Sequence, residues 1–349
     1  GGVDSAVTLH LLQKAGHSVR AVFMKNWEDS HNQHCTSDVD MASAQAVCDR
    51  LNLSLEVVNF ADAYWDNVFS YFLDALNAGY TPNPDVLCNS EIKFKLFLDY
   101  ALETGADYIA TGHYAKITKV GDHYQLKTPK DANKDQTYFL HKLNQHQLSR
   151  ALFPLADLTK QAIREIATAI SLPNADRPDS MGICFIGPKK YQRFLDEYLL
   201  AKPGPIVTEQ GKHIGQHSGL MHYTIGQRKG IGLGGSKHFK EDPWYVLDKD
   251  IASNALIIGQ GANNPKLFQN GLLVNTMHWI DTQPTLPIKL TAKVRYRQQA
   301  IQCTIRHQSD QFVVCFDTPQ RAITPGQYVV LYDQDVCLGG GVISAAISL

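Results

Sequence analysis

The sequence predicts an α/β fold: a parallel sheet with helices on both faces, followed by a small central β-rich domain and a C-terminal β-barrel. Three observations carry this expectation. The first 110 or so residues alternate short apolar runs with amphipathic stretches. From Lys202 onward glycine and proline punctuate short alternating segments, and after about residue 270 only strand-like segments remain. These changes of pattern divide the chain into residues 1–195, 196–265 and 266–349.

Taken in order, "SAVTLHLLQKAG" reads as a helix that stops at Gly16, and "SVRAVFM" as the strand after it. "SDVDMASAQAVCDRLN" opens with a serine and acidic residues suited to a helix start. Strand "SLEVVNF", helix "AYWDNVFSYFLDALNAG", a second helix "SEIKFKLFLDYALETG" and strand "DYIATGH" complete the alternation. In such sheets ligands collect beyond the carboxyl ends of the strands. Helical signal persists in "KDQTYFLHKL" and "KQAIREIATAI", then changes near residue 195. "WYVLDKD" and "NALIIGQG" read as strands. "IKLTAKVRYR", "AIQCTIRHQ", "QFVVCFD" and "QYVVLYD" are spaced as in a small closed barrel or sandwich.

Composition narrows the function classes. With 349 residues, 44% of them hydrophobic and 19% charged, the chain has the make-up of an ordinary globular protein. No apolar run approaches the roughly 18–20 residues of a membrane helix. A formal charge of −1 excludes a uniformly basic nucleic-acid binder, so contact with nucleic acid would come from local tracts. Two such tracts exist: eight Lys/Arg against three Asp/Glu between Cys184 and Lys237, and five Lys/Arg with no acid in 282–309. The seven cysteines, at 35, 48, 88, 184, 303, 315 and 337, form no C-x-x-C pair. An odd, dispersed set suits a reducing compartment, so a cytoplasmic location is expected. His213 and His217 have H-x-x-x-H spacing without a nearby cysteine or acidic partner, and no protein-held metal is expected.

Three stretches carry chemistry. "GGVDSAV" sets two glycines, Asp4 and Ser5 directly before a helix, where backbone N–H groups can bind phosphate oxygens. A plain strand-to-helix turn would look the same. In "NPDVLCN", Asn83 can cap a helix and Pro84 suits its first position, which sets Asp85 and Cys88 three apart on neighbouring surface. By geometry alone that pair reads equally as a capped helix with a buried cysteine or as a reactive sulfur site. A close carboxylate would oppose thiolate formation, so Asp85 makes more sense handling a substrate proton than activating the thiol. "DSMGICFIG" carries Cys184 between glycines with no clear period, which suits a residue that moves between two positions.

"GGVDS" resembles the core of the pyrophosphate-binding loop of the ATP-pyrophosphatases, the PP-loop enzymes of HUP-like fold, whose leading strand would precede the first residue. "FMKNW", "GYTPNPDVLCNSEIKF", "ATGHYA", "KDQTYFL", "LFPL", "GICFIG" and "YTIGQRKGIGLGG" occur in the order seen in the tRNA-uridine 2-sulfurtransferases, and this resemblance covers essentially the whole chain. Met181 stands where many members have threonine.

The resemblance implies ATP-dependent 2-thiolation of the wobble uridine in glutamate, glutamine and lysine tRNAs. Cys184 corresponds to the cysteine that receives sulfur as a persulfide, and Cys88 to the one that attacks it or pairs with it as a disulfide. Asp85 corresponds to the general acid/base. Gly1, Gly2, Val3, Asp4 and Ser5, with Met24 and Gly112, correspond to the ATP site, and Mg²⁺ would balance phosphate charge. Asn83, Pro84 and Asp85 match the segment touching the target base. His113, Lys134, Asp135, Gln136, Arg295, Tyr296 and Gln327 match tRNA contacts. A relay protein or cysteine desulfurase would supply sulfur to a monomeric enzyme. Another PP-loop adenylating enzyme shares the loop without needing two mobile cysteines. An iron–sulfur thiolase would need clustered cysteines. A noncatalytic ATP-responsive RNA-binding protein would tolerate loss of Asp85 or either cysteine.

Overall fold

Helix α1 (Val3–Lys14) starts after an extended Gly2 and buries Val3, Ala6, Val7 and Leu12. Gly16, at φ +86°, ends it in a left-handed conformation that glycine adopts without a Cβ clash. The computed structural model describes residues 2–28, 37–179, 191–233 and 242–349. Strand β1 (Ala21–Lys25) pairs in parallel with β2 (Leu55–Asn59), joined by α2 (Ser37–Leu51), as the alternation predicts. A second parallel pair joins β3 (Ile109–Ala110) to β6 (Ala151–Leu152). Strand "DYIATGH" is thus only two residues long.

Two helical runs carry π-turns that no periodicity announced. Residues 61–77 pass through a π-helical segment at Trp65–Phe69. Residues 84–103 run from the short helix Pro84–Leu87 through a π-helical Cys88–Leu96 into Phe97–Glu103. Such insertions concentrate at functional sites. "KDQTYFLHKL" forms a helix only over Thr137–Leu140, because the side chains of Asp135 and Gln136 bind backbone groups instead of continuing a turn.

Between these elements lies a hairpin absent from the sequence reading, β4 (Lys116–Val120) and β5 (His123–Lys127). Four strands make the central sheet in the order β8-β7-β10-β9: β7 (Gly204–Thr208), β8 (His213–His217), β9 (Trp244–Asp250) and β10 (Ala255–Gln260). The last six strands are β11 (Phe268–Trp279), β12 (Ile288–Lys293), β13 (Ile301–Gln308), β14 (Gln311–Arg321), β15 (Tyr328–Asp333) and β16 (Val336–Ile347). Their order β11-β14-β13-β12-β15-β16 closes on itself through β11–β16 pairing, which makes the expected barrel. β12 stops short of "VRYR": Val294–Arg297 turn away, with Arg297 at φ +65° and the Gln298 side chain accepting from the Val294 N–H at 2.9 Å.

The barrel is not an appended bead. β5 pairs with β16, which extends the barrel sheet into the first half of the chain. One buried cluster joins Val86, Phe94 and Leu98 of the 84–103 run to Leu126, Tyr138, Tyr328, Val330 and Tyr332. The helix bearing Asp85 and Cys88 therefore rests on the barrel wall through a shared core.

Candidate active site

The start of α1 has the form that phosphate binding needs. Gly2 caps the helix in an extended conformation, with no side-chain cap hydrogen bond among the described residues. Helix geometry leaves the first N–H groups without partners inside the helix, and their dipoles favour an anion. Ser5 Oγ donates to the Gly2 carbonyl at 3.0 Å. Gly112 lies against this turn so closely that a Cβ there would sit 2.7 Å from the Ser5 backbone nitrogen. Only glycine allows that approach, which explains the residue in "ATGHYA". Met24 lies on β1, opposite Val58. Gly1 falls outside the described residues.

A chain of alternating charge leads away from the loop. Lys160 Nζ donates to both Asp4 oxygens at 2.7 and 2.8 Å, and the Tyr114 hydroxyl donates to Oδ1 at 2.8 Å. The same ammonium lies 2.6 Å from Asp179 Oδ1, while Lys134 Nζ lies 2.6 Å from Asp179 Oδ2. Burial pushes the Asp179 carboxyl up, but hydrogen bonds from Lys134 and Lys160 outweigh it and hold it down at about 2. Burial, then the charge of Asp4, pushes the Tyr114 hydroxyl well above its ordinary range. Lys160 and Tyr114 escaped the sequence reading. A lysine 156 residues from Asp4 carries no local signal.

The second constellation sits on the 84–103 run. Asn83 caps the helix by accepting from the Asp85 N–H at 3.2 Å, and Pro84 takes the first helical position, both as predicted. Asp85 and Cys88 follow at i and i+3 on neighbouring helix surface. Burial raises the Asp85 carboxyl above its ordinary range, against the pull of the Lys93 charge. Cys88 is 2% exposed and belongs to a core with Trp27, Phe69, Leu87 and Phe194. His113 is buried, its Nδ1 2.8 Å from Thr111 Oγ1 and its ring against Phe94 and Phe153. Burial, helped by Lys93, holds that imidazole well below its ordinary range and therefore neutral. Lys93 Nζ donates to Asn89 Oδ1 at 3.0 Å, and its charge acts on both Asp85 and His113. Its place depends on the π-helical segment, in which residue i+5 bonds back to residue i, and this spacing is invisible in a sequence. Cys184 lies outside the described residues.

The residues matched to tRNA contacts divide. Asp135 is 5% exposed, receives Thr137 N–H and Oγ1 at 3.0 and 2.7 Å, and pairs with Lys293 of β12 at 2.6 Å. Gln136 accepts from the Tyr114 N–H at 2.8 Å. Arg295 donates to the carbonyls of Ile225 and Ala322 at 3.0 and 2.8 Å, which ties the barrel to the central segment. Tyr296 packs on Phe139 with ring centroids 4.4 Å apart. Gln327 Nε2 donates to the Thr81 carbonyl at 2.7 Å. Of the five basic residues in 282–309, Lys289, Arg297 and Arg306 are exposed, whereas Lys293 and Arg295 serve internal ties.

Comparison with known proteins covers the same length. Residues 1–188 match the family model described as the tRNA methyl transferase HUP domain, 192–260 its PRC-barrel domain, and 269–343 the aminomethyltransferase beta-barrel domain. The tRNA-specific 2-thiouridylase MnmA of Yersinia enterocolitica is 52% identical over 347 residues, covering 98% of this chain and 93% of that protein. Proteins of the same name from Shewanella piezotolerans and Citrobacter koseri are each 51% identical and cover 99% and 100% of the chain. With the phosphate loop, the Asp85–Cys88 helix and the closed barrel all falling inside these matches, the chain belongs to the MnmA family of tRNA-specific 2-thiouridylases.

Proposed function

We propose that this chain is an ATP-dependent tRNA-uridine 2-sulfurtransferase that converts the wobble uridine of glutamate-, glutamine- and lysine-type tRNAs to 2-thiouridine. The observation that carries the reading is the pairing of a phosphate loop, at Gly2–Ser5 against Gly112, with a capped helix presenting a raised-pKa carboxyl and a buried thiol three residues apart. The family model bears a methyltransferase label, whereas the full-length relatives are named thiouridylases. The relatives weigh more, because adenylation followed by sulfur transfer uses both constellations and methyl transfer uses neither.

A carbonyl oxygen is a poor leaving group, so exchange for sulfur needs prior activation. The uracil O2 attacks the α-phosphorus of ATP and pyrophosphate leaves. The N–H groups at the start of α1 hold the phosphates, and Lys160 moves from Asp4 to a phosphate oxygen. The Lys160 ammonium already on both Asp4 oxygens marks that carboxylate as a cation position. Asp4 would hold Mg²⁺ jointly with the phosphates, where the ion neutralises their charge. Asp85 relays the proton at the base edge. The terminal sulfur of a Cys184 persulfide adds to C2 and AMP departs with the former O2. Cys88 thiolate then attacks Cys184 Sγ, breaking its bond to the transferred sulfur, which keeps the electron pair and becomes the C2 thiocarbonyl. The resulting Cys88–Cys184 disulfide is reduced by an external thiol.

Residues 1–195, 196–265 and 266–349 act as the ATP-binding, central and barrel domains. Among tRNA-facing groups we retain Asn83, Pro84, Asp85, His113, Lys134 and Tyr296, with exposed Arg297 and Arg306 adding salt-sensitive phosphate contacts. A desulfurase or relay protein loads Cys184, and the enzyme works as a cytoplasmic monomer. No described helix is long and apolar enough to cross a membrane. Nucleoside mass spectrometry after incubation of the protein with tRNA, ATP and a sulfur source tests the reading. It predicts 2-thiouridine that depends on ATP, and an unchanged nucleoside profile contradicts it.

A further inference from the structure

The turn between β14 and β15 reaches across to the loop that feeds the catalytic helix. The Thr81 N–H donates to the Pro325 carbonyl at 3.0 Å, and the Thr81 carbonyl accepts from Gln327 Nε2 at 2.7 Å. Both backbone polar groups of Thr81 are thereby bound to the barrel. Between them Gly326, at φ +90°, presses so closely that a Cβ would lie 2.8 Å from the Thr81 nitrogen and from the Tyr80 Cβ. The turn itself is fixed to β16, since Gly326 N–H donates to Ile343 and Ile343 N–H donates back to the Gln327 carbonyl, at 2.9 and 2.8 Å. Pro82 alone separates Thr81 from the Asn83 cap, and Asp85 is two residues further on. Downstream, Val86 and Phe94 lie in one core with Tyr328 and Val330. The catalytic helix is thus held by the barrel at its entry and along its face.

We infer that Gln327 is a positioning residue: with Pro325 and Gly326 it splints Thr81, and the barrel thereby sets where Asp85 and Cys88 stand relative to the activated base. This rests on the sulfur-transfer reading of those two residues. It departs from the tRNA-contact role that the resemblance implies for Gln327, whose amide N–H is directed to a protein carbonyl. A hydrogen bond to a proline-stiffened loop two residues from a helix cap transmits displacement to the helix with little loss, because Pro82 and Pro84 restrict the intervening dihedrals.

The test uses Gln327→Ala and Gln327→Glu in the full chain; the second keeps the size but replaces the donor by an acceptor facing the Thr81 carbonyl. Hydrogen exchange over residues 80–88, tRNA affinity and single-turnover 2-thiouridine formation are measured together. In both variants exchange over 80–88 should quicken and the thiolation rate should fall roughly tenfold or more, as small misplacement of reacting groups does. The tRNA Kd should stay within about twofold. Weakened tRNA binding with unchanged exchange would overturn the positioning role in favour of direct contact, and so would wild-type behaviour in every readout. A wild type that forms no 2-thiouridine would overturn the sulfur-transfer reading, while the exchange and tRNA readouts still decide whether Gln327 is a splint.

Discussion

At the scale of single residues, the proposed chemistry rests on how burial and charge tune Asp85. Its carboxyl is raised by desolvation and drawn back by Lys93, so it can hold and release a proton closer to neutrality than an exposed aspartate. In the proposed mechanism the ionised form accepts a proton from the base, which predicts a rate that falls as pH drops through that raised pKa. A pH profile of single-turnover thiolation should show an acid limb above the ordinary carboxylate range, and Asp85→Asn should remove the limb with most of the rate. An Asp85→Asn enzyme with an unaltered profile would assign the proton transfer elsewhere. Which residues carry the site was legible where a residue type is demanded by backbone geometry, as with Asn83 as cap and Pro84 at the first helical position. Gly112, by contrast, was indicated by the resemblance alone, and its close approach to the Ser5 nitrogen is a tertiary contact. It was illegible for Lys160 and Lys93, whose roles come from a tertiary contact and a π-helical register.

At the scale of elements, helix 84–103 joins the two halves of the proposed mechanism, and the Asn83 side chain caps its entry beside the barrel contacts on Thr81. Asn83→Ala should cost about 1 kcal/mol of stability in denaturant titration, whereas Asn83→Ser should retain most of it. An unaffected midpoint in the alanine variant would mean that the barrel contact at Thr81 alone holds the helix start. The alternation at the start of the chain was readable because β1 and β2 are short apolar runs, each with a helix after it. The β4–β5 hairpin was not. Its sequence, "KITKVGDHYQLK", carries a Gly-Asp turn but sits among helical signals, and its pairing with β16 is a long-range contact that no local pattern announces. The spacing of strand-like segments predicts strand through "IKLTAKVRYR", yet Arg295 turns inward to bind carbonyls of two other segments. Tertiary hydrogen bonds overrode local preference there.

At the scale of the whole molecule, the basic tract that suggested a docking face for RNA also supplies the ties between segments. Lys293 and Asp135 form a nearly buried pair, 14% and 5% exposed, which joins β12 to the turn before Thr137. Removing one partner leaves the other charge buried, so Asp135→Ala should lose about 3–5 kcal/mol of stability. Lys293→Met combined with Asp135→Asn should recover much of that loss, and a double variant no more stable than Asp135→Ala would show that the pair's role is not electrostatic. The molecule so assembled holds an ATP loop and a thiol-bearing helix in one frame, and sulfur chemistry at Cys88 is the claim on which the account stands. Parallel assay of Cys88→Ser for tRNA-dependent release of AMP and pyrophosphate, and for 2-thiouridine by mass spectrometry, tests it most directly. The account predicts that pyrophosphate release on tRNA addition survives while 2-thiouridine disappears; 2-thiouridine formed at the wild-type rate would contradict it.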